Sequence, residues 1–214
     1  KMTVYTSGAK FEKSQENSNL IIESNAYKHL TRQDSEQWEY LYPKIEYDIN
    51  NINENFFGGN ISLNNDFTNS QGLENSYSSQ LSAQLNWSKT NTNLNTGIIF
   101  ENKANLRVVS SSIDYKNNTP DEKTITAFPQ MASKITYPLI KVNKNYSQTL
   151  TPILMPILAP YNNYTETQSV DVSNVFSYNR ATGLNSWESG PRVNYGIEWF
   201  LDFNDSLDLK LSIG

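Results

Sequence analysis

The sequence predicts an all-β protein of about ten antiparallel strands. From Tyr77 to Trp87, apolar and polar side chains occupy alternate positions, which is the period of a strand and which a helix cannot reproduce. Arg192–Phe203 and Leu207–Ile213 alternate in the same way on either side of a turn signal at 204–206, which predicts a β-hairpin. The chain of 214 residues contains 13 Tyr, a residue type enriched in strands.

The other candidate strands follow from the same alternation and from the polar links between them. In chain order they are Met2–Glu12, Leu20–Leu30, Lys44–Ile49, Gly58–Phe67, Gly97–Val109, Ile135–Leu139 and Tyr146–Ala159. The link 90–96 is short, so the two strands that flank it are expected to be antiparallel neighbours. Polar loops are expected at 116–123 and 162–173.

Proline limits how some of these strands can pair, because it has no N–H to donate to a ladder. Pro43 is therefore expected at a strand start, at a sheet edge or in a bulge, and the simplest interpretation is a bend that enters the strand Lys44–Ile49. Pro152, Pro156 and Pro160 fall within nine positions of the sequence. This spacing excludes a regular central strand in a soluble sheet.

Composition and charge exclude several classes of function. The net charge of -5 gives no basic surface for nucleic acid. The chain has no cysteine, which excludes disulfides, thiolate nucleophiles and cysteine-based zinc sites. Its one histidine, His29, is flanked by Lys28 and Leu30, and no phosphate-loop, nucleophile-elbow or zinc-protease motif is present. The sequence therefore predicts no enzyme, no cofactor and no metal site.

The alternation fits either a transmembrane β-barrel or a water-soluble β-sandwich. Arg192–Phe203 would extend roughly 40 Å at about 3.3 Å per residue. Tilted by about 45°, such a strand crosses close to 28 Å, which matches the apolar band of about 25 Å on outer-membrane barrels. Sandwich strands are usually nearer 5–6 residues. Tyr77 and Trp87 bracket one strand as interfacial aromatics do, so the barrel is favoured.

The least regular stretch of the chain, residues 174–196, carries a family resemblance. It reads NVFSYNRATGLNSWESGPRVNYG and is similar to a segment of the outer-membrane LPS-assembly family LptD. Asn185 and Ser186 depart from the family pattern, in which Asp and Arg are usual at these positions. The matching residues are Asn174, Phe176, Arg180, Gly183, Trp187, Glu188, Gly190, Arg192, Tyr195 and Gly196.

Upstream of this stretch, FPQMASKITYPL and TLTPILMPILAP resemble a pair of proline-containing strands in the family, and YLYP at 40–43 adds weaker support. The resemblance is strongest over about Phe128–Gly196. Both ends of the chain fall within candidate strands. The resulting prediction is that residues 1–214 form one partial outer-membrane barrel domain, an internal fragment of a larger barrel with no second domain.

The resemblance implies a protein that inserts lipopolysaccharide (LPS) into the outer leaflet of a Gram-negative outer membrane, without bond chemistry. It further implies an LptE-like lipoprotein plug in the lumen, a periplasmic LPS-bridge protein that docks on an N-terminal domain absent here, and contact with membrane lipid. The family's cysteines have no counterpart in this chain. A generic porin or TonB-dependent receptor segment, and a soluble carbohydrate-binding or adhesin sandwich, remain the alternatives.

Arg180, Glu188 and Arg192 are the charged residues with the strongest claim to a role. One hypothesis is that both arginines pair with Glu188 and hold a long loop in place. The other is that the arginines line the route of an anionic glycolipid, because guanidinium groups bind phosphate through two parallel hydrogen bonds. The two hypotheses are compatible.

Overall fold

The all-β antiparallel prediction is confirmed. The computed structural model describes residues 4–30, 38–52, 56–72, 76–115, 120–161, 171, 173–181, 187–203 and 207–214, and these contain eleven strands and no helix. The strands are β1 Val4–Gln15, β2 Ser18–His29, β3 Trp38–Ile49, β4 Asn60–Gln71, β5 Tyr77–Asn93, β6 Ile98–Asp114, β7 Glu122–Thr136, β8 Leu139–Val142, β9 Ser147–Leu158, β10 Arg192–Phe203 and β11 Leu207–Ile213. Within the described ranges no helix is long and apolar enough to span a membrane.

All eleven strands belong to one sheet. Neighbours follow chain order from β1 to β7 and continue through β9, β10 and β11, while β8 pairs with β9. A sandwich requires two packed sheets, so this order does not fit that alternative. Among the described residues the order begins at β1 and ends at β11, which makes the sheet open, as part of a barrel would be.

The chain divides into two compact units. Unit 1 comprises Lys1–Phe56, Asn60–Asn86 and Leu106–Ala127. Unit 2 comprises Phe57–Gly59, Trp87–Asn105 and Phe128–Gly214. That the whole chain is one barrel domain stays a prediction.

In unit 1, β3 differs from the predicted strand because it runs through Pro43 instead of starting after it. Its pairing with β2 steps from Glu23↔Lys44 to Asn25↔Leu41, so β3 uses one residue more than its partner. Its pairing with β4 shifts at the same place. The Tyr42–Pro43 peptide is cis, and the extra residue here is a β-bulge. Since side chains alternate with a period of two, the bulge places the residues before and after it out of step.

The two faces of unit 1 have different chemistry. One face exposes large apolar side chains at alternate positions, including Phe11 on β1, Leu81 and Leu85 on β5, and Val108 on β6. The other face carries mainly amide, hydroxyl and charged groups. We call them the apolar face and the polar face. The bulge in β3 keeps Trp38, Tyr40 and Tyr42 on the same apolar face as Tyr47.

In unit 2, β7 and β8 pair with β9 in one continuous register. Thr136 lies opposite Ile153, and Leu139 lies opposite Leu150. The two strands are separated only at Tyr137–Pro138. There the Tyr137 N–H donates to the Pro152 carbonyl at 3.2 Å, and Pro152 has no N–H to return the bond. Proline thus accounts for the break between β7 and β8.

The expectation that prolines exclude a regular central strand was made for a soluble sheet, whereas the family resemblance predicted proline-containing strands here, and β9 is such a strand. Ser147–Leu158 forms one strand, with β7 and β8 on one side and β10 on the other. Pro152 and Pro156 are four residues apart, so both direct their missing donor toward β7 and β8. The β7–β9 ladder skips the positions beside Pro156. The β9–β10 ladder is unbroken from Arg192↔Ile157 to Asp202↔Ser147.

β9 also departs from simple alternation of apolar and polar residues. Leu154 and Leu158 are exposed, yet Ile153, Met155 and Ile157 on the opposite side are buried. Both faces of this strand are therefore apolar. The buried side needs a cover, and the residues between β9 and β10 supply it.

Candidate functional site

The described residues 171, 173–181 and 187–191 form the inner segment, which packs on the buried side of β7 and β9. Phe176 and Tyr178 pack against a cluster of Ala132, Met155 and Ile157. Trp187 is buried and contacts Phe128. The irregular stretch that carries the family resemblance thus returns to the sheet over an apolar surface.

A hydrogen-bonded turn starts the inner segment. The Asp171 carboxylate accepts from the Ser173 N–H at 2.7 Å and from the Ser173 hydroxyl at 2.6 Å. These bonds lower the pKa of Asp171 below its ordinary value. The Asn174 side-chain oxygen accepts in return from the Asp171 N–H at 3.0 Å. Asn174 therefore shapes the turn.

Phe176 fits against the sheet because of a glycine on β10. A Cβ at Gly196 would lie 2.8 Å from the Phe176 ring and 2.3 Å from the Ile213 carbonyl. Any larger residue at Gly196 would displace either the ring or the β11 backbone. The neighbouring residue Tyr195 points to the opposite face and is 72% exposed. Of these two motif residues, only Gly196 belongs to the site.

Tyr178 binds back to β7 through two hydrogen bonds. Its hydroxyl donates to the Gln130 carbonyl, and its own carbonyl accepts from the Gln130 side-chain amide at 3.1 Å. Burial raises the pKa of the Tyr178 hydroxyl, an effect that the charge of Arg192 partly offsets. The hydroxyl therefore stays protonated as a donor.

Arg180, Glu188 and Arg192 form a buried charge triad. The Glu188 carboxylate accepts from Arg180 at both oxygens, including a bond from Arg180 Nε at 2.8 Å, and lies 3.0 Å from Arg192 Nη2. The side chains are 8%, 12% and 13% exposed in that order. The bond to Glu188 raises the pKa of Arg180. Two guanidinium groups share one carboxylate, which leaves one excess positive charge in a largely dry site.

Residues of the triad also form hydrogen bonds with backbone groups of the inner segment. Arg192 donates to the Tyr178 carbonyl at 2.8 Å and to the Glu188 carbonyl at 3.3 Å. The Asn179 side-chain oxygen accepts from the Glu188 N–H at 2.8 Å. Among the described residues, Arg192 Nε is a buried side-chain nitrogen without a hydrogen-bond partner. Both arginines thus neutralise Glu188, and Arg192 also binds the carbonyls of an irregular backbone.

Pro160, just after β9, anchors the second half of the inner segment. Its carbonyl accepts from Trp187 Nε1 at 3.2 Å and from the Gly190 N–H at 3.0 Å. Gly190 has φ +78°, and a Cβ there would lie 2.8 Å from the Tyr161 ring. Glycine is required at this position both for the backbone conformation and for the space.

The structure thus places Phe176 against Gly196 and joins Arg180, Glu188 and Arg192 in the triad, while Gly190 lies beside Tyr161. Gly183 lies outside the described residues. Sequence reasoning missed Gln130, Tyr178, Asn179 and Asn194; the last of these donates to the Val175 carbonyl at 2.6 Å. Asn194 could have been found from the alternation in β10, where it is a polar residue on the face opposite to the exposed apolar side chains.

Unit 1 contains a second set of linked side chains, which we call the amide ladder: Arg107, Gln84, Asn86, Asn64 and Asp48. It crosses β6, β5, β4 and β3 on the polar face. Arg107 donates to Gln84 Oε1 through Nε at 2.9 Å and Nη2 at 2.7 Å. Gln84 donates to Asn86, Asn86 to Asn64 and Asn64 to Asp48, each at 2.8 Å.

The charged ends of the amide ladder determine which way each amide points. A guanidinium can only donate and a carboxylate can only accept, so Gln84 must present its oxygen to Arg107 and Asn64 its NH₂ to Asp48. Each amide has further donor and acceptor capacity for hydroxyl groups. Over the described part of the chain, no group of three or more carboxylate or imidazole side chains is arranged to hold a metal ion.

Comparison with known proteins gives one family. The model of LptD, described as LPS transport system D, matches residues 3–214. No curated protein matches the chain. The match includes unit 1, where the sequence resemblance was weak, as well as the inner segment.

Replacing Glu188 with Gln is expected to lower the free energy of unfolding by about 3–5 kcal/mol, because it leaves two buried guanidinium groups without a carboxylate. The matched control is Glu198→Gln, which removes an exposed pair with Lys210 at 3.7 Å and should cost about 0–1 kcal/mol. Urea unfolding of the full-length protein in lipid vesicles measures both. Equal losses would contradict the assignment of the triad as a buried charge centre.

The raised pKa of Tyr178 predicts that the folded protein loses stability at alkaline pH. Its raised pKa stabilises the folded protein fully below the unfolded value of about 10, and this contribution is lost as the pH rises toward the folded value. Above about pH 10 the wild type should therefore lose up to about 1.4 kcal/mol per pH unit more than Tyr178→Phe. The test is to measure the free energy of unfolding of both proteins from about pH 8 to about pH 11. Tyr195→Phe, which changes an exposed tyrosine, is the control. A wild-type slope equal to that of Tyr178→Phe would refute the prediction.

Proposed function

This chain belongs to the LptD family, and from that membership we propose that it forms part of the wall of an outer-membrane β-barrel that inserts LPS into the outer leaflet. The family is a transport family whose role is the movement of LPS to the outer membrane. The match over residues 3–214 is the observation that carries the proposal. A porin or TonB-dependent receptor segment would not be expected to match this family throughout.

The chemistry of the two faces in unit 1 supports a membrane wall. In the proposed orientation, Leu81, Leu85 and the other exposed apolar residues face lipid, and the polar face lines the lumen. Strands β1 to β4 are 12 residues each. At about 3.3 Å per residue and a tilt of about 45° they cross roughly 28 Å, enough for the hydrocarbon band.

The polar face suits passage of the saccharide part of LPS. Sugar hydroxyls both donate and accept, as the amides of the ladder do. Because these amides already bind one another, a passing sugar exchanges one set of hydrogen bonds for another and gains little net free energy. Such a surface favours movement over retention.

The inner segment has a supporting role in this proposal. The triad of Arg180, Glu188 and Arg192 is nearly dry and binds protein groups on several sides, so it holds the segment on the sheet. One excess positive charge in the triad also attracts the phosphates of a passing glycolipid. The LptE-like plug and the periplasmic LPS-bridge protein are proposed as partners of the full-length protein, by family membership.

Depletion of the full-length protein tests the transport proposal directly. New LPS should stop reaching the cell surface, and it should accumulate on the inner side of the outer membrane. A membrane-impermeant label applied to intact cells measures arrival. If LPS arrival continued while uptake of small solutes fell, the chain would be part of a diffusion channel instead.

The direction of the faces is tested by Leu85→Lys, near the middle of β5. A lysine on the lipid face at the bilayer midplane is expected to cost about 2–4 kcal/mol of unfolding free energy. Gln80→Lys places the same charge on the polar face of the same strand and should cost much less. Folding of both full-length variants into vesicles is followed by urea titration. A larger loss for Gln80→Lys would reverse the assignment of lipid and lumen.

A further inference from the structure

An aromatic cluster lies at one end of the apolar face of unit 1. Trp38 and Tyr40 on β3 are stacked, with ring centroids 6.1 Å apart and planes at 12°. Tyr40 and Tyr42 meet edge to face at 6.2 Å. The three rings are 37–38% exposed. They form a continuous aromatic strip along the first residues of β3.

A lysine lies on this strip. The Lys28 ammonium is 5.5 Å from the centre of the Trp38 ring, in cation–π geometry. In the ladders, Lys28 lies opposite Tyr5 on one side and Trp38 on the other, so aromatic residues flank it on both neighbouring strands. We call Lys28, Tyr5, Trp38, Tyr40 and Tyr42 the aromatic–lysine patch.

The nearest carboxylate in sequence on β3 does not belong to this patch. Glu39 lies between Trp38 and Tyr40 and therefore points to the other face, where it contacts His29 at 3.0 Å. None of the described residues that make up the patch is acidic. The patch therefore carries the positive charge of Lys28 among aromatic rings.

The position of the patch along the strands indicates which part of the membrane it contacts. Exposed Tyr and Trp at the ends of barrel strands lie at the level of lipid headgroups, while the aliphatic positions lie in the hydrocarbon. An ammonium held there over a ring still has N–H donors for an oxygen anion. From this arrangement we propose that the aromatic–lysine patch binds the phosphate of an anionic membrane lipid. This rests on the proposed membrane location, but not on transport.

The test uses the full-length protein in detergent and native mass spectrometry, with phosphatidylglycerol as the anionic probe and phosphatidylcholine as the neutral-headgroup reference. Lys28→Gln should weaken binding of the first phosphatidylglycerol about fivefold, since a lysine near a lipid surface contributes about 1 kcal/mol. Binding of phosphatidylcholine should not change. Trp38→Leu should also weaken phosphatidylglycerol binding, because it removes the ring that holds the ammonium.

Lys13→Gln is the matched control. Lys13 lies on the same face at the opposite end of the β1–β2 hairpin, where its ladder partner is Leu20. Equal weakening by Lys28→Gln and Lys13→Gln would overturn the proposal, since it would indicate only a general charge effect. Loss of the membrane location would instead appear as failure of every variant and the wild type to fractionate with the outer membrane, which distinguishes the two proposals.

Discussion

The apolar inner surface of β9 is the constraint on which the arrangement of unit 2 depends. Ile153, Met155 and Ile157 would be exposed to solvent if nothing covered them, and burial of such side chains contributes about 1.5–3 kcal/mol each. Phe176 and Tyr178 cover Met155 and Ile157, together with Ala132 of β7. Once these two rings are in place, residues 173–181 must run along the sheet instead of away from it.

Covering an apolar surface with irregular chain creates a second requirement, because its backbone groups leave water without a ladder to pair them. Side chains meet that requirement here. The Tyr178 carbonyl accepts from Gln130 and Arg192, and the Val175 carbonyl accepts from Asn194. Arg192 therefore acts on the backbone as much as on the Glu188 carboxylate. The polar residues and the apolar cluster stabilise the same conformation.

Much of this fold follows from period-two alternation, which located the strands of the clean hairpins well. The bulge in β3 could not be counted from the sequence, because Pro43 is equally consistent with a strand start. The rule against proline in the central strand of a soluble sheet assumes that both ladders need every donor, whereas Pro152 and Pro156 of β9 leave the ladder with β10 unbroken. Within the site, the family pattern drew attention to the triad. The hydrogen bond between Tyr178 and Gln130 joins residues 48 positions apart, so no local sequence pattern predicts it.

The amide ladder has a consequence for how unit 1 tolerates change. Its amides all point the same way between a cation and an anion, so their dipoles add across four strands. A single interior amide cannot reverse without placing two donors or two acceptors against each other, so reversal is collective. Arg107 and Asp48 select one of the two senses. Either charged end alone fixes that sense, so both ends would have to be replaced by groups that donate and accept equally before the reversed order became accessible. The polarity of the polar face of unit 1 would then change without any movement of the backbone.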